Sequence, residues 1–235
     1  LRLDKALSEL FVFVDKQVGL ENSLIVLSAD HGAAEVPGRL NQFGIDAQYF
    51  KPDSLKKQQV IKNIKAKYGI GTELISEVSP PCIYLNNKML RKRKLNANEV
   101  SRAIAAEPIK ISGVAYAVPS IDLVAGKTPD TRLYRQILRN FNPKRSGDIC
   151  LVLEPGWFVN DFCGLTVTAT HGSPWRYDTY VPIIFAGNGL PAKTVFREVE
   201  TVDVALTLSK YPGINAPSGA TGAPLIEVLS RPQKQ

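Results

Sequence analysis

Two short runs of branched, apolar residues in this chain end in the same way, in a histidine followed by a glycine. Leu24 to Ser28 reads LIVLS and leads through Ala29 and Asp30 to His31-Gly32. Leu165 to Thr170 reads LTVTAT and leads directly to His171-Gly172. These are the chain's two histidines. A continuous apolar run of this length is the pattern of a strand buried on both faces of a parallel sheet. Glycine after the histidine lets the backbone turn sharply. In open α/β sheets the carboxyl edge of the strands is where ligands bind. Neutral imidazole with a carboxylate is a donor set suited to zinc. Asp30, His31 and His171 are therefore the candidate metal ligands. A lone histidine at a strand end is as a rule a satisfied turn residue; two of two in that position, one beside an aspartate, favour a site.

The surroundings supply an α/β grammar. Leu3, Leu7, Leu10, Val14 and Val18 recur at helical spacing and predict a helix over 2–19, stopped by Gly19. Near the other end, Val181 to Ala186 (VPIIFA) reads as a strand closed by Gly187-Asn188-Gly189. Thr201 to Lys210 reads as a helix with Thr201 as N-cap, ended by Pro212-Gly213. Residues 24–28, 165–170 and 181–186 are expected to be neighbours in one sheet. The middle differs, with a lysine-rich helix over 53–68 and short strands over 73–78 and 82–85 around Pro80-Pro81. Beyond them come a helix over 97–106 capped by Asn96, a strand over 113–118, a helix over 130–140 and a strand over 148–153. The expected organisation is a core α/β piece over 1–38, an α+β insert over 39–148 covering one side of the site, and a second core piece over 149–235.

Composition narrows the classes. The 44% hydrophobic content is enough for a buried core, and no apolar run reaches the roughly 18 residues of a membrane span. The net charge of +7 suits an anionic partner. Its densest run, Lys88 and Arg91 to Lys94, has no interleaved aromatics, so a stacking platform for nucleic acid is not suggested and the run reads as a solvated turn. Cys82, Cys150 and Cys163 form no CxxC, which excludes a zinc ribbon, and the odd count leaves at least one thiol unpaired within the chain. Cys82 and Cys150 lie in apolar stretches and read as small buried side chains. No G-x-S-x-G elbow is present. Ser28, Asp30 and His31 sit too close along one strand end to form a relay triad. Ser218 to Gly222 lacks the ending of a phosphate loop and reads as a surface loop.

The strings SADHG (Ser28 to Gly32), PKRSGDICLVLEPGW (Pro143 to Trp157), ATHGSPWRYDTYVPIIFAG (Ala169 to Gly187) and TVDVALTLSKYPGINAPSGATGAPL (Thr201 to Leu225) together resemble the alkaline-phosphatase superfamily. The resemblance is to its type I phosphodiesterase / nucleotide pyrophosphatase branch, with phosphate-irrepressible alkaline phosphatases within it. It runs from the first helix to about residue 228 and is weakest over the insert. It implies an alkaline-phosphatase-like core sheet with flanking helices, two zinc ions, and phosphoryl transfer from a small phosphate ester. Asp30 and His31 match ligands of the zinc that holds the nucleophile, and His171 matches a ligand of the second. Tyr180 stands where many relatives carry a further histidine. The family's nucleophile, and its remaining ligands, correspond to sequence upstream of Leu1. The resemblance therefore implies that this chain is a C-terminal portion, inactive by itself, of a periplasmic or secreted enzyme; the expectation of no nucleic-acid partner and no membrane span comes from the residues above. A sulfatase- or phosphomutase-like relative shares the same ligands, and a basic binding module that kept the fold without the site is the non-enzymatic alternative.

Overall fold

The computed structural model describes residues 1–57, 59–162, 164–187 and 189–230. Cys163 and Asn188, read above as a thiol and as part of a turn, lie outside the described residues. Eight strands form among these residues: β1 (Leu24–Ser28), β2 (Ile75–Ser79), β3 (Cys82–Leu85), β4 (Val114–Pro119), β5 (Ile149–Leu153), the two-residue β6 (Asp161–Phe162) and β7 (Leu165–Thr166), and β8 (Ile183–Gly187). The chain divides into two compact units, one made of Leu1–Asp30 with Val181–Gln235, the other of His31–Tyr180. The boundaries expected from sequence were 38/39 and 148/149. The observed second unit is wider, because β5 hydrogen-bonds to β3 and β4 and so belongs with them.

In the first unit the helix Arg2–Val18 ends at Gly19, whose φ of 82° is open to glycine and whose N–H donates to Asp15 O. β1 pairs with β8 in register from Leu24↔Gly187 to Ser28↔Ile183. The pairing is antiparallel and two-stranded, and every β1 residue keeps some exposure. This corrects the expectation of a parallel strand buried on both faces: an apolar run states the preference for burial, not the direction of the partner. The late helix is Asp203–Lys210, and its N-cap is Val202 rather than Thr201. The carboxylate of Asp203 accepts N–H bonds from Glu200 and from Ala223. Thr207, fully buried, donates its hydroxyl to Asp203 O and accepts from Leu225 N–H, which ties the closing loop to this helix.

The second unit is built on an antiparallel sheet of order β2-β3-β5-β4. Alternation along β5 sends Ile149 and Leu151 to one face and Cys150 and Val152 to the other. The first face packs in the main core with Leu74, Ile83, Val100 and Ile104. The second packs in a smaller cluster with Val118, Leu123 and Ile137. Helix Ala97–Ala105 supplies Val100 and Ile104 from one stripe. It starts at Asn96, whose side chain accepts from Asn98 and Glu99 N–H and so satisfies two of the donors a helix start leaves open. Lys88 and Arg91 to Lys94 are exposed, on the short helix Asn87–Lys92 and the turn after it.

The run 165–170 departs furthest from its reading. Only Leu165–Thr166 is strand, and it pairs with Asp161–Phe162 in a separate hairpin, not with β1 or β8. Val167 N–H to Asn160 O adds one more bond to that hairpin, but the later carbonyls bond elsewhere, Thr168 O to the Tyr49 hydroxyl and Thr170 O to Ala34 N–H. Once those groups are committed, no continuous ladder is left to extend the strand.

Candidate functional site

His31 and His171 meet although 140 residues separate them. Their rings stack with centroids 3.4 Å apart and planes 14° from parallel. Neither histidine sits directly at a strand end. His31 lies three residues beyond β1, and His171 five beyond β7.

Backbone hydrogen bonds bring the two segments together. Gly32 N–H donates to Asp178 O at 2.7 Å, and Ala34 N–H donates to Thr170 O at 3.0 Å. The approach at Gly32 is so close that a Cβ there would stand 1.9 Å from Tyr177 O. Glycine at this position is therefore required by packing, not by the turn read from sequence. Gly172, after the second histidine, has a φ of 111°, where the turn itself requires glycine.

His31 is half-buried, and its Nδ1 lies 2.6 Å from Gly32 O. A neutral imidazole meets a carbonyl as an N–H donor, which leaves the lone pair on Nε2. His171 is exposed at the rim of a cavity of about 150 Å³ with mostly apolar walls, among them Phe50, Pro80, Pro81, Trp157, Phe158 and Phe162. Three of these, Phe50, Pro80 and Pro81, lie within 39–148. A larger cleft of about 710 Å³ lies elsewhere in the unit, lined by Asp46, Lys110, Glu154 and Trp157, and contains neither histidine.

Asp178 is the site residue that sequence reading missed. It sits on the one-turn helix Arg176–Thr179 and is 4% exposed. One carboxylate oxygen accepts Ser173 N–H at 2.7 Å and so braces the loop that carries His171. The other, Oδ1, is buried without a protein partner. The sequence offered only an aspartate two residues before Tyr180; its burial shows in the fold alone. Tyr180 itself is 70% exposed, with Arg176 stacked over its ring.

Asp30 closes the first unit and is exposed. Its reading as a ligand rests on its place beside His31 in the sequence. Among the described residues no group of three or more His, Cys, Asp or Glu side chains converges as a metal cage.

Residues 1–174 match the family model described as type I phosphodiesterase / nucleotide pyrophosphatase. The chain belongs to this family. Among curated members and relatives, alkaline phosphatase PafA of Elizabethkingia meningoseptica is 31% identical over 232 residues, covering 98% of this chain and 41% of that protein. A Myroides odoratus protein named calcium-transporting ATPase shows the same identity and coverage. Alkaline phosphatase PhoV of Synechococcus elongatus is 27% identical over 237 residues, 97% of this chain and 40% of that protein. The crystal structure of wild-type PafA superposes with a TM-score of 0.81 at 29% identity, over 97% of this chain and 42% of that one. The chain thus spans about two fifths of the length of these relatives. The mixed α/β architecture is the alkaline-phosphatase one.

Proposed function

We propose that this chain is the part of a zinc-dependent phosphate-ester hydrolase that contributes Asp30 and His31 to one ion and His171 to a second. The observation that carries the reading is the stacked pair of imidazoles. An imidazole ligates through a lone pair in the plane of its ring. Lone pairs in two near-parallel planes do not converge on one ion; they serve two ions side by side. The 3.4 Å ring spacing is close to the roughly 3.5–4 Å between ions in two-metal phosphatase sites. The bond from His31 Nδ1 to Gly32 O supports ligation through Nε2, since an outer partner on one nitrogen fixes the tautomer that ligates through the other.

Bound zinc would supply Lewis acidity at the phosphoryl oxygens and a stabilised attacking and leaving oxygen. The residues of this chain hold and orient. Asp178 keeps the His171 loop in place through Ser173 N–H. The apolar walls beside His171 exclude water from one side of the site, which strengthens charge interactions there. The nucleophile and the remaining ligands belong to sequence outside this chain, so residues 1–235 alone bind zinc weakly and turn over no ester. A small-molecule phosphate ester as substrate, and a periplasmic or secreted location, follow from the family resemblance. Among the described residues no helix is long and apolar enough to cross a membrane.

The test is turnover of p-nitrophenyl phosphate with added zinc, in the protein extended to the length of its relatives. His171→Ala there lowers kcat/KM at least about 100-fold. Near-wild-type turnover by that variant, or strong turnover by residues 1–235 alone, refutes the proposal. Preference for p-nitrophenyl sulfate would instead favour the sulfatase-like reading.

A further inference from the structure

Two thiols stand directly opposite each other on the sheet of the second unit. β3 and β5 are antiparallel, with Cys82 paired to Cys150 and Ile83 to Ile149. Alternation puts Ile83 and Ile149 in the main core and both cysteines on the other face, each partly buried. The pair type follows from its neighbour. Leu151 N–H donates to Pro81 O, directly across the ladder, so the next pair inward, Cys82 and Cys150, is of the non-hydrogen-bonded kind. Such pairs bring Cα atoms to about 4.5 Å, with the side chains closer than in the alternate pair. A disulfide spans roughly 4.4–6.8 Å between Cα atoms, so backbone movement is not needed. Gly147 leaves room beside the pair: a Cβ there would stand 2.7 Å from Cys82 Cβ.

We propose that Cys82 and Cys150 are a cross-strand redox pair that closes to a disulfide by exchange with a small-molecule disulfide. Cys82 attacks first. Burial, with Cys82 nearby as the lesser cause, pushes the Cys150 thiol up to about 12, so Cys150 is held protonated and is a poor nucleophile. The Cys82 thiolate bonds to one sulfur of the oxidant, and the other sulfur leaves as a thiolate. The Cys150 proton passes to a departing thiolate as its sulfur attacks the mixed disulfide, and the second small thiol is released. One oxidant disulfide is reduced to two thiols, and the two protein thiols are oxidised to one disulfide. The bond ties β3 to β5 between residues 82 and 150, across a long loop, and so removes freedom from the unfolded chain.

The experiment uses the whole protein, equilibrated in oxidised and reduced glutathione, alkylated, digested without reduction and mapped by mass spectrometry. The expected result is a peptide linking Cys82 to Cys150 in oxidising buffer, absent in reducing buffer. Wild-type protein melts about 5–10 °C higher oxidised than reduced. Cys82→Ser and Cys150→Ala each abolish that shift, and Cys163→Ser retains it. Three results overturn the inference: both thiols alkylated after oxidation, glutathione adducts without the internal link, or Cys163 joined to either partner. The mapping needs no variant, so a variant that fails to fold does not affect it.

Discussion

His31 and His171 stack ring on ring, 3.4 Å apart and 14° from parallel. If each imidazole serves its own ion, the two act as one unit in turnover. On the proposed reading, in the protein extended to the length of its relatives, His31→Ala and His171→Ala each lower kcat by at least about 100-fold, and the double variant falls little further than either alone. Steady-state kinetics of the three variants checks this; losses that multiply contradict a shared role. His171 is exposed, so its replacement shifts the urea midpoint by less than about 0.5 kcal/mol equivalent.

Gly32 tests the packing behind that pair. Its missing side chain is where Tyr177 O stands, 1.9 Å from a built Cβ, and backbone cannot rotate away as a side chain can. Gly32→Ala therefore destabilises by about 2–4 kcal/mol. Urea unfolding checks the magnitude. Gly172→Ala acts through its positive φ instead, and costs about 1 kcal/mol.

Asp178 braces the loop of His171 by accepting Ser173 N–H. Asp178→Ala leaves that donor without its partner and costs about 1–3 kcal/mol. Hydrogen exchange at Ser173 reads the loss directly. Faster exchange confined to residues near Ser173 is the expected outcome, and unchanged exchange there contradicts the bracing role.

Glu227 gives a pH signature in the first unit. The Arg197 guanidinium, hydrogen-bonded to it through two nitrogens, holds its carboxyl at about 2, well below the usual carboxylate range. A depressed folded pKa contributes stability that is present above the unfolded value near 4.5 and lost as pH falls toward 2. The pair is partly exposed, so its share is small and screened by salt. In Arg197→Met the carboxyl pKa rises from about 2 toward the usual carboxylate range, with its own backbone hydrogen bond and Lys193 still lowering it. Carbon-detected NMR titration of Glu227 in both proteins decides it.

How much of this was legible in the sequence depended on the kind of signal. Helix ends were readable because their causes are local: Gly19 stops the first helix by its φ, and Asn96 starts another through its own side chain. The meeting of His31 with His171 was legible as an expectation because both occur in strand-to-His-Gly strings. The route was not. Leu165 to Thr170 reads as a core strand, yet its carbonyls at 168 and 170 bond to Tyr49 and Ala34, far away in sequence. The direction of β1 was likewise hidden, since an apolar run does not encode whether its partner runs parallel or antiparallel. Asp178 was missed because what marks it is burial without a partner for Oδ1, a tertiary property. The opposition of Cys82 and Cys150 is a matter of register, and register across β3 and β5 emerges only when both strands are placed.

The hydrogen bond from Gly32 to Asp178 also bears on the order in which the chain assembles. β1 is synthesised early, but its partner β8 follows only after the whole of His31–Tyr180 has been made. Closing so long a loop directly is entropically costly and slow. The contiguous second unit can form first, as units do during synthesis. Once Gly32 is joined to Asp178, only a few residues remain between that bond and the Ser28↔Ile183 end of the ribbon. A contact between distant parts of the sequence has then become a local one.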